Sequence, residues 1–168
     1  MYQPPSPGKA VIYFARVSAY GGAAAFDFFH NDRFIGICRG TSYIRCEVDP
    51  GEHLFWISTE NKEFITADVA ADSSYAVVID VRMGAFKAKA GTTLVPPGSD
   101  LFPRVRKLIN TRDAKITPEK KIEKTNKKLS VKFIPNMLQR YENEWKGKRN
   151  FRHISQDMAI AEEEWTKK

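Results

Sequence analysis

The chain has 168 residues, of which 42% are hydrophobic and 28% are charged, and its formal net charge is +7. This length suits one globular domain with an appendage, and the composition is ordinary for a globular protein. The longest apolar runs have the length of strands, which excludes a membrane-spanning helix, and the start of the chain has no signal-peptide pattern.

Residues 1–8 are rich in proline, which predicts an extended and poorly packed N-terminal spacer. Such a spacer fits either the natural start of the chain or a tether that follows a targeting segment. Two cysteines are too few for a disulfide scaffold, so Cys38 and Cys46 are expected to be buried thiols or, in an oxidising compartment, one disulfide.

Residues 9–98 predict an antiparallel β-sandwich domain of about eight strands. Short runs rich in β-branched and aromatic residues alternate there with turn residues, and no helical period is present. The runs cover 9–17, 24–29, 33–38, 41–48, 53–59, 63–69, 75–82 and 85–90. Connections of hairpin length favour antiparallel pairing, and the turn at Pro50 and Gly51 is the clearest of them.

Two adjacent aromatic residues, Phe55 and Trp56, must point to opposite faces of their strand. One of them therefore leaves the core of a two-layer sandwich. We expect that second face to be covered by C-terminal helices, which gives an apolar stripe ending at Trp145 a place to pack; an exposed aromatic binding face is the alternative. The expected core consists of Phe14, Phe26, Phe28, Phe34, Phe55, Trp56, Ile79 and Val81.

Residues 99–168 predict a basic helical extension, packed on the sandwich or tethered to it, with three to four helices. The helices are expected over 101–110, over 117–128 with Thr117 as N-cap and Pro118 as first residue, from Pro135 to Trp145, and after Ser155. Residues 129–133 alternate with a period of two and fit either a strand or a continuing helix.

The positive charge belongs to this extension. Residues 1–100 carry 9 basic and 11 acidic side chains, whereas residues 101–168 carry 18 basic and 9 acidic ones. Within the extension, residues 104–132 hold 11 basic and 3 acidic groups. A segment of this kind attracts phosphate groups, anionic lipid or an acidic partner.

Three features are candidate binding sites. His53 opens a strand at one end of the sandwich, where it is either a packed histidine or a polar recognition group. The turn residues Glu60, Asn61 and Lys62 fit either ordinary turn chemistry or a recognition loop. The third feature is a run of lysines along one side of the predicted helix, which fits a solvated face or a phosphate-binding face: Lys120, Lys121, Lys124, Lys127 and Lys128.

The chain lacks the familiar signatures of catalysis. It has no zinc-ligand spacing, no phosphate-binding glycine loop and no nucleophile motif, so we expect no cofactor, no metal site and no catalytic residues. The least favoured hypothesis is a hydrolase-like enzyme with a cleft between the sandwich and the extension, for which the best candidate residues are Arg16, Tyr43, His53 and Glu60.

Short motifs spread over residues 9–95 resemble an uncharacterised bacterial family of small envelope-associated domains, which are often predicted lipoproteins. The motifs are Tyr13-Phe14-Ala15-Arg16, Phe26-Asp27, Ile35-Gly36, Gly40-Thr41-Ser42-Tyr43, Pro50-Gly51-Glu52-His53, Ser58-Thr59-Glu60-Asn61-Lys62, Tyr75 and Met83-Gly84-Ala85-Phe86. The resemblance implies a β-sandwich on a lipid-anchored or periplasmic chain. The chain departs from it in lacking a lipoprotein signal and cysteine at its start, and the basic extension lies outside the pattern.

These observations favour a non-enzymatic binding or structural module of the bacterial cell envelope, which contacts a protein partner or an anionic surface. If no targeting segment precedes the spacer, a cytoplasmic location is expected instead. The alternative is a basic adaptor that binds nucleic acid or an acidic protein through residues 104–132. Nucleic acid is the less favoured partner, because no aromatic residue that could stack on a base lies within 115–128.

Overall fold

The computed structural model describes residues 1–167 and is mainly β, as predicted. Short turns separate eight strands in the first part of the chain. They are β1 (Ala10–Arg16), β2 (Ala25–His30), β3 (Arg33–Arg39), β4 (Ser42–Val48), β5 (Gly51–Ser58), β6 (Lys62–Val69), β7 (Ser73–Met83) and β8 (Ala88–Leu94). The alternation of apolar and polar residues therefore predicted these strands correctly, apart from their exact ends.

The C-terminal extension contributes four helices and one further strand. They are α1 (Phe102–Thr111), α2 (Glu119–Leu129), α3 (Phe133–Arg140), which continues into a π-helical turn over Tyr141–Trp145, β9 (Arg152–Ile154) and α4 (Glu162–Thr166). Residues 130–132 form a turn, so 129–133 is neither a strand nor a continuous helix. The three-residue β9 is too short for its sequence to show a period. None of the helices in residues 1–167 is long and apolar enough to cross a membrane.

The strands form two mixed sheets, so the prediction of a wholly antiparallel sandwich is wrong. One sheet has the order β4-β1-β7-β8 and the other has the order β3-β2-β5-β6-β9. The pairs β1–β7 and β6–β9 are parallel. Hairpin turns fix the direction only of strands that they join, and neither parallel pair is joined by a turn.

The inner faces of the two sheets pack together around a core of aromatic and aliphatic side chains. Phe14 lies between Phe28 and Phe55, with ring centroids 5.5 and 5.0 Å away. Five of the eight predicted core residues are buried there: Phe14, Phe26, Phe28, Phe55 and Ile79. Val81 is only partly buried against this core.

Helices cover the outer faces of both sheets, which gives four layers. Trp56 and Phe34 are buried on the outer face of the five-stranded sheet, under α3 and the π-helical turn. The expectation that Phe55 and Trp56 serve different layers is therefore confirmed, and Trp145 packs on the layer that contains Trp56. The outer face of the four-stranded sheet is covered by α1 and α4.

The N-terminal spacer is better packed than its composition predicts. Tyr2 is buried, its ring stacks on Trp165 at a centroid distance of 5.1 Å, and its backbone N–H donates to Asn110 Oδ1 at 2.9 Å. Proline limits backbone freedom and does not prevent a neighbouring aromatic residue from docking.

Candidate functional site

Helix α2 is fixed to the outer edge of the five-stranded sheet by side chains that replace a missing strand. Asn126 Nδ2 donates to the Phe34 carbonyl at 2.8 Å, and the Phe34 N–H donates to Asn126 Oδ1 at 2.8 Å. The Ile37 N–H donates to Thr117 Oγ1 at 3.0 Å. These bonds satisfy backbone groups that an edge strand otherwise leaves open.

Two details of the predicted start of α2 are therefore wrong. Thr117 does not cap the helix, because its hydroxyl is engaged with β3, and Pro118 occupies the N-cap position instead of the first helical position. The helix begins at Glu119, whose carboxylate pairs with Arg33 at 3.3 Å.

The lysine face of α2, which we define as the five lysines named above, is exposed along the whole helix. The opposite side of α2 packs on the sheet through Ile122 and Leu129. No ion pair within residues 1–167 involves a lysine of this face. The structure therefore displays five exposed lysines that form no ion pair within residues 1–167, on a helix whose acidic residues are Glu119 and Glu123.

A shallow groove adjoins the N-terminal end of the lysine face. It has a volume of about 390 Å³ and is lined by Ile37, Arg39, Lys115, Ile116, Thr117, Pro118 and Lys121. Ile116 is 81% exposed at this groove. The groove therefore extends the positive surface of α2 onto the last residue of β3.

The side chains of the predicted turn site have partners within the protein. Glu60 accepts hydrogen bonds from the backbone N–H groups of Ala85, Phe86 and Lys87 at 3.0, 3.1 and 2.6 Å. These N–H groups, with that of Lys87 first, hold the pKa of Glu60 below its usual value. The carboxylate thus organises the turn between β7 and β8.

The next two residues, Asn61 and Lys62, also form hydrogen bonds within the protein. Asn61 donates to the Ala90 carbonyl and accepts from the Ala90 N–H, both at 2.9 Å, and Lys62 Nζ donates to the Thr59 carbonyl at 3.0 Å. These contacts favour turn chemistry over a recognition loop for Glu60, Asn61 and Lys62.

His53 forms a hydrogen-bonded pair with His30 at the opposite end of the sandwich. His53 Nε2 lies 2.7 Å from the Asp49 carbonyl, which can only accept, so Nε2 carries a hydrogen. His53 Nδ1 then accepts from His30 Nε2, which is 2.9 Å away. Burial lowers the pKa of His30, and the neighbouring His53 lowers it further.

The sequence pattern did not indicate His30 as a site residue, although its ring lies beside that of the candidate His53 in the structure. His30 pairs with Phe55 across β2 and β5, so it shares a face with His53, two residues away on β5. His30 also lines a slot of about 210 Å³ between the edges of the two sheets, together with Cys46 and Phe55. The pairing of β2 with β5 is the only signal that could have revealed the pair.

The thiols and histidines do not assemble into a metal centre. In the part of the chain that the structure describes, no group of three or more His, Cys, Asp or Glu side chains is placed to hold a metal ion. Cys38 and Cys46 are free, buried thiols on different sheets, and burial raises the pKa of Cys46 to about 12.

The four residues of the hydrolase hypothesis lie in separate surroundings. Arg16 points between the sheets, where it bonds the Ala24 carbonyl, whereas Tyr43 lies on the outer face and donates to the Arg112 carbonyl. His53 and Glu60 lie at opposite ends of β5. These positions remove the four residues that were the best candidates for such a site.

No family model matches the chain, and no curated protein is similar to it at a significant level. The resemblance to envelope-associated domains therefore remains a prediction from the motifs.

Proposed function

We propose that the protein is a non-enzymatic binding module of the bacterial cell envelope, whose lysine face contacts anionic lipid headgroups. The observation that carries the proposal is the display on α2 of five exposed lysines, none of which forms an ion pair in the described part of the chain. The envelope location is supported by the motifs of residues 9–95 alone.

The shape and chemistry of the lysine face suit a charged surface better than a shape-specific partner. Lysine is a flexible point charge, and neither a large apolar anchor nor a bidentate arginine lies within this face. Each lysine near an anionic membrane contributes about 1 kcal/mol, so five of them suffice for weak, reversible attachment.

Nucleic acid is a less suitable source of phosphate groups. Binding to single strands normally combines a basic groove with aromatic side chains that stack on bases. The nearest aromatic residue after α2 is Phe133, which is partly buried against the layer that contains Trp56.

The test uses vesicles that mix phosphatidylglycerol with phosphatidylcholine, and vesicles of phosphatidylcholine alone. The protein is expected to co-sediment with the anionic vesicles only, and increasing salt is expected to release it. The variant Lys120→Gln, Lys124→Gln, Lys127→Gln, Lys128→Gln removes four contributions of about 1 kcal/mol each and is expected to lower the affinity several hundredfold, that is, by roughly 10²–10³.

A matched control removes four exposed lysines elsewhere: Lys107→Gln, Lys146→Gln, Lys148→Gln and Lys167→Gln. This variant has the same net charge, so an equal loss of binding in both variants would contradict a site on α2. Salt-sensitive binding to single-stranded DNA without binding to vesicles would favour the adaptor hypothesis instead.

The envelope location has a separate test. Fractionation of cells that carry the natural gene is expected to recover the protein with the membranes or the periplasm. Recovery in the cytosol would refute the location and leave the lysine face to be judged by the vesicle experiment.

A further inference from the structure

The turn between β7 and β8 exposes two large apolar side chains. Phe86 is 95% exposed and Met83 is 73% exposed. Single exposed apolar residues are common on protein surfaces, but a nearly fully exposed phenylalanine beside an exposed methionine forms a local apolar projection. We define residues 82–89 as the hairpin tip.

The backbone of the hairpin tip is held in place and does not depend on Phe86 for its conformation. The Glu60 carboxylate accepts hydrogen bonds from the N–H groups of residues 85, 86 and 87. At Gly84, a Cβ atom would lie 2.3 Å from Glu60 Oε2 and from the Lys87 carbonyl oxygen. The Glu60 carboxylate thus holds the backbone of the tip in place, and the Phe86 side chain projects into solvent.

The charged side chains within the hairpin tip are all positive, and the Glu60 carboxylate lies against the backbone of the tip. Arg82, Lys87 and Lys89 flank the apolar side chains, and residues 82–89 contain no acidic residue. The carboxylate of Glu60 is directed to backbone N–H groups. An apolar projection with a cationic flank is complementary to an anionic lipid interface.

A second exposed aromatic residue lies on the loop beside the tip. Gly21 packs so closely on Val81 that a Cβ atom at Gly21 would lie 2.5 Å from the valine side chain. Its neighbour Tyr20 is 57% exposed. This end of the sandwich therefore carries three exposed apolar or aromatic side chains: Tyr20, Met83 and Phe86.

We infer that the hairpin tip enters the interfacial region of an anionic bilayer, with Phe86 as the inserting side chain. The inference rests on the proposed function for the choice of a lipid partner and adds the element that penetrates it. A protein partner is less suitable, because a stable interface buries about 800 Å² on each side and one phenylalanine supplies about 150–250 Å². A bilayer requires no complementary shape.

The lysine face and the hairpin tip make different contributions in this arrangement. The lysines lie on the outer side of the five-stranded sheet and attract the protein over about 8 Å at physiological ionic strength. The tip lies at the end of the sandwich where β7 and β8 meet and contributes apolar contact at short range. Salt therefore weakens the first contribution much more than the second.

The experiment uses the full chain, the same two kinds of vesicle and the variant Phe86→Trp. With phosphatidylglycerol vesicles, the added tryptophan is expected to shift its emission to shorter wavelength and to be quenched by lipids brominated on their acyl chains. The matched control Ala71→Trp places the tryptophan at an exposed position in the turn before β7, at the other end of that strand from the hairpin tip, and is expected to show neither change. Wild-type emission is subtracted, since the chain contains three tryptophans.

The variant Phe86→Ser gives a second readout and is not expected to disturb folding, because the side chain has no buried contacts to lose. It is expected to weaken vesicle binding about tenfold, whereas Ala71→Ser leaves binding unchanged. Wild-type binding with no spectral change at position 86 and no loss in Phe86→Ser would overturn insertion and leave the proposed function standing.

The opposite pattern separates the two proposals. If the tryptophan at position 86 shifts and is quenched while the α2 variant binds like wild type, the lysine face is refuted and insertion is supported. If the wild-type protein binds neither kind of vesicle, both proposals are refuted.

Discussion

Arg16 is a buried cation without a carboxylate partner. Its side chain is 1% exposed, and its guanidinium donates to the carbonyls of Ala24, Gly21 and Cys38 at 2.7, 3.1 and 3.3 Å. The guanidinium also lies 4.6 Å from the ring centroid of Phe26, and burial lowers the pKa of Arg16. Three carbonyl acceptors and one aromatic face thus stabilise a charge that burial disfavours.

Replacing this cation with an apolar side chain of similar length has a defined expected cost. In Arg16→Met, the three carbonyls lose their donor inside the protein, so the free energy of unfolding is expected to fall by about 2–4 kcal/mol in urea denaturation. The control Arg33→Met breaks only the exposed pair with Glu119 and is expected to cost less than about 1 kcal/mol. If Arg16→Met unfolded at the same urea concentration as the wild type, the result would contradict a structural role for Arg16.

The His30–His53 pair predicts a dependence of stability on pH. The folded-state pKa of His30 lies below its unfolded value, so its contribution is fully present above the unfolded pKa and is lost as pH falls towards the folded pKa. His30 contacts His53, the Phe55 ring and the Asn31 amide, and it shares its slot with Arg45, Cys46 and Glu47. Of the charges that shift the pKa of His30, His53 lowers it and Asp32 raises it.

The corresponding experiment compares wild type with His30→Gln in urea denaturation between pH 7 and pH 5. Glutamine can still donate to His53 Nδ1 but does not titrate. Wild type is expected to lose more free energy of unfolding over this interval than the variant, with an excess slope below the one-proton limit of about 1.4 kcal/mol per pH unit. If the free energy of unfolding fell equally with pH in both proteins, His30 would not contribute to the pH dependence of stability.

At the level of single residues, the candidate site could be predicted only where it depends on local pattern. The lysines of α2 recur on one side of a helix, and their exposure follows from that spacing. The His30–His53 pair and the engagement of Glu60 with residues 85–87 depend on which strands are neighbours. Residue spacing along the chain carries no information on that choice.

At the level of elements, the strands β1 to β8 and the approximate positions of α1 and α2 follow from periodicity and turn chemistry. The parallel pairs and β9 do not, because β9 is held by three residue pairs with β6 and by Arg152, which donates to the Thr92 carbonyl at 3.4 Å. The formation of β9 and of its parallel pair with β6 depends on the extension reaching that edge of the sheet, whereas the pair β1–β7 depends on which strands become neighbours within residues 10–83.

Asn126 is the residue on which the docking of α2 onto β3 chiefly depends. Asn126→Leu removes both hydrogen bonds to Phe34 and leaves its backbone groups without a partner under α2. We expect a loss of about 2–3 kcal/mol in the free energy of unfolding. Asn136→Leu, at an exposed position of α3, is expected to cost less than about 0.5 kcal/mol.

The same variant tests whether α2 protects the edge of the sheet. An open edge strand can pair with another copy, so Asn126→Leu is expected to form larger species in size-exclusion chromatography than Asn136→Leu. A variant that is destabilised and remains monomeric would limit the role of α2 to stability.

At the level of the whole molecule, the extension surrounds the sandwich. It begins as α1 on the four-stranded sheet, crosses to the five-stranded sheet as α2 and α3, joins the edge of that sheet as β9, and returns as α4. The adjacent Phe55 and Trp56 indicated one covered face. The second covered face follows from Tyr13, which alternates with the inward Phe14 along β1, and from Tyr43, whose ring centroid lies 5.9 Å from that of Tyr13.

This arrangement places Tyr2 and Trp165 in one layer, on the outer face of the four-stranded sheet. Trp165 is fully buried, with ring centroids 5.1 Å from Tyr2, 5.0 Å from Tyr13 and 4.9 Å from Phe102. We therefore expect the sandwich and its extension to unfold together in a single calorimetric transition, with equal van't Hoff and calorimetric enthalpies. Two separated transitions would show that the extension is an independent unit.

A double-mutant cycle measures how strongly the two ends support each other. Trp165→Ala is expected to lower the free energy of unfolding by about 3–5 kcal/mol, because it empties a large buried site. Tyr2→Ala should cost much less in that background than in wild type, since the stacked partner is already absent, with a coupling of about 0.5–3 kcal/mol. Additive costs in urea denaturation would mean that the spacer docks on the four-stranded sheet without help from α4, and that the layer is assembled from two separate attachments.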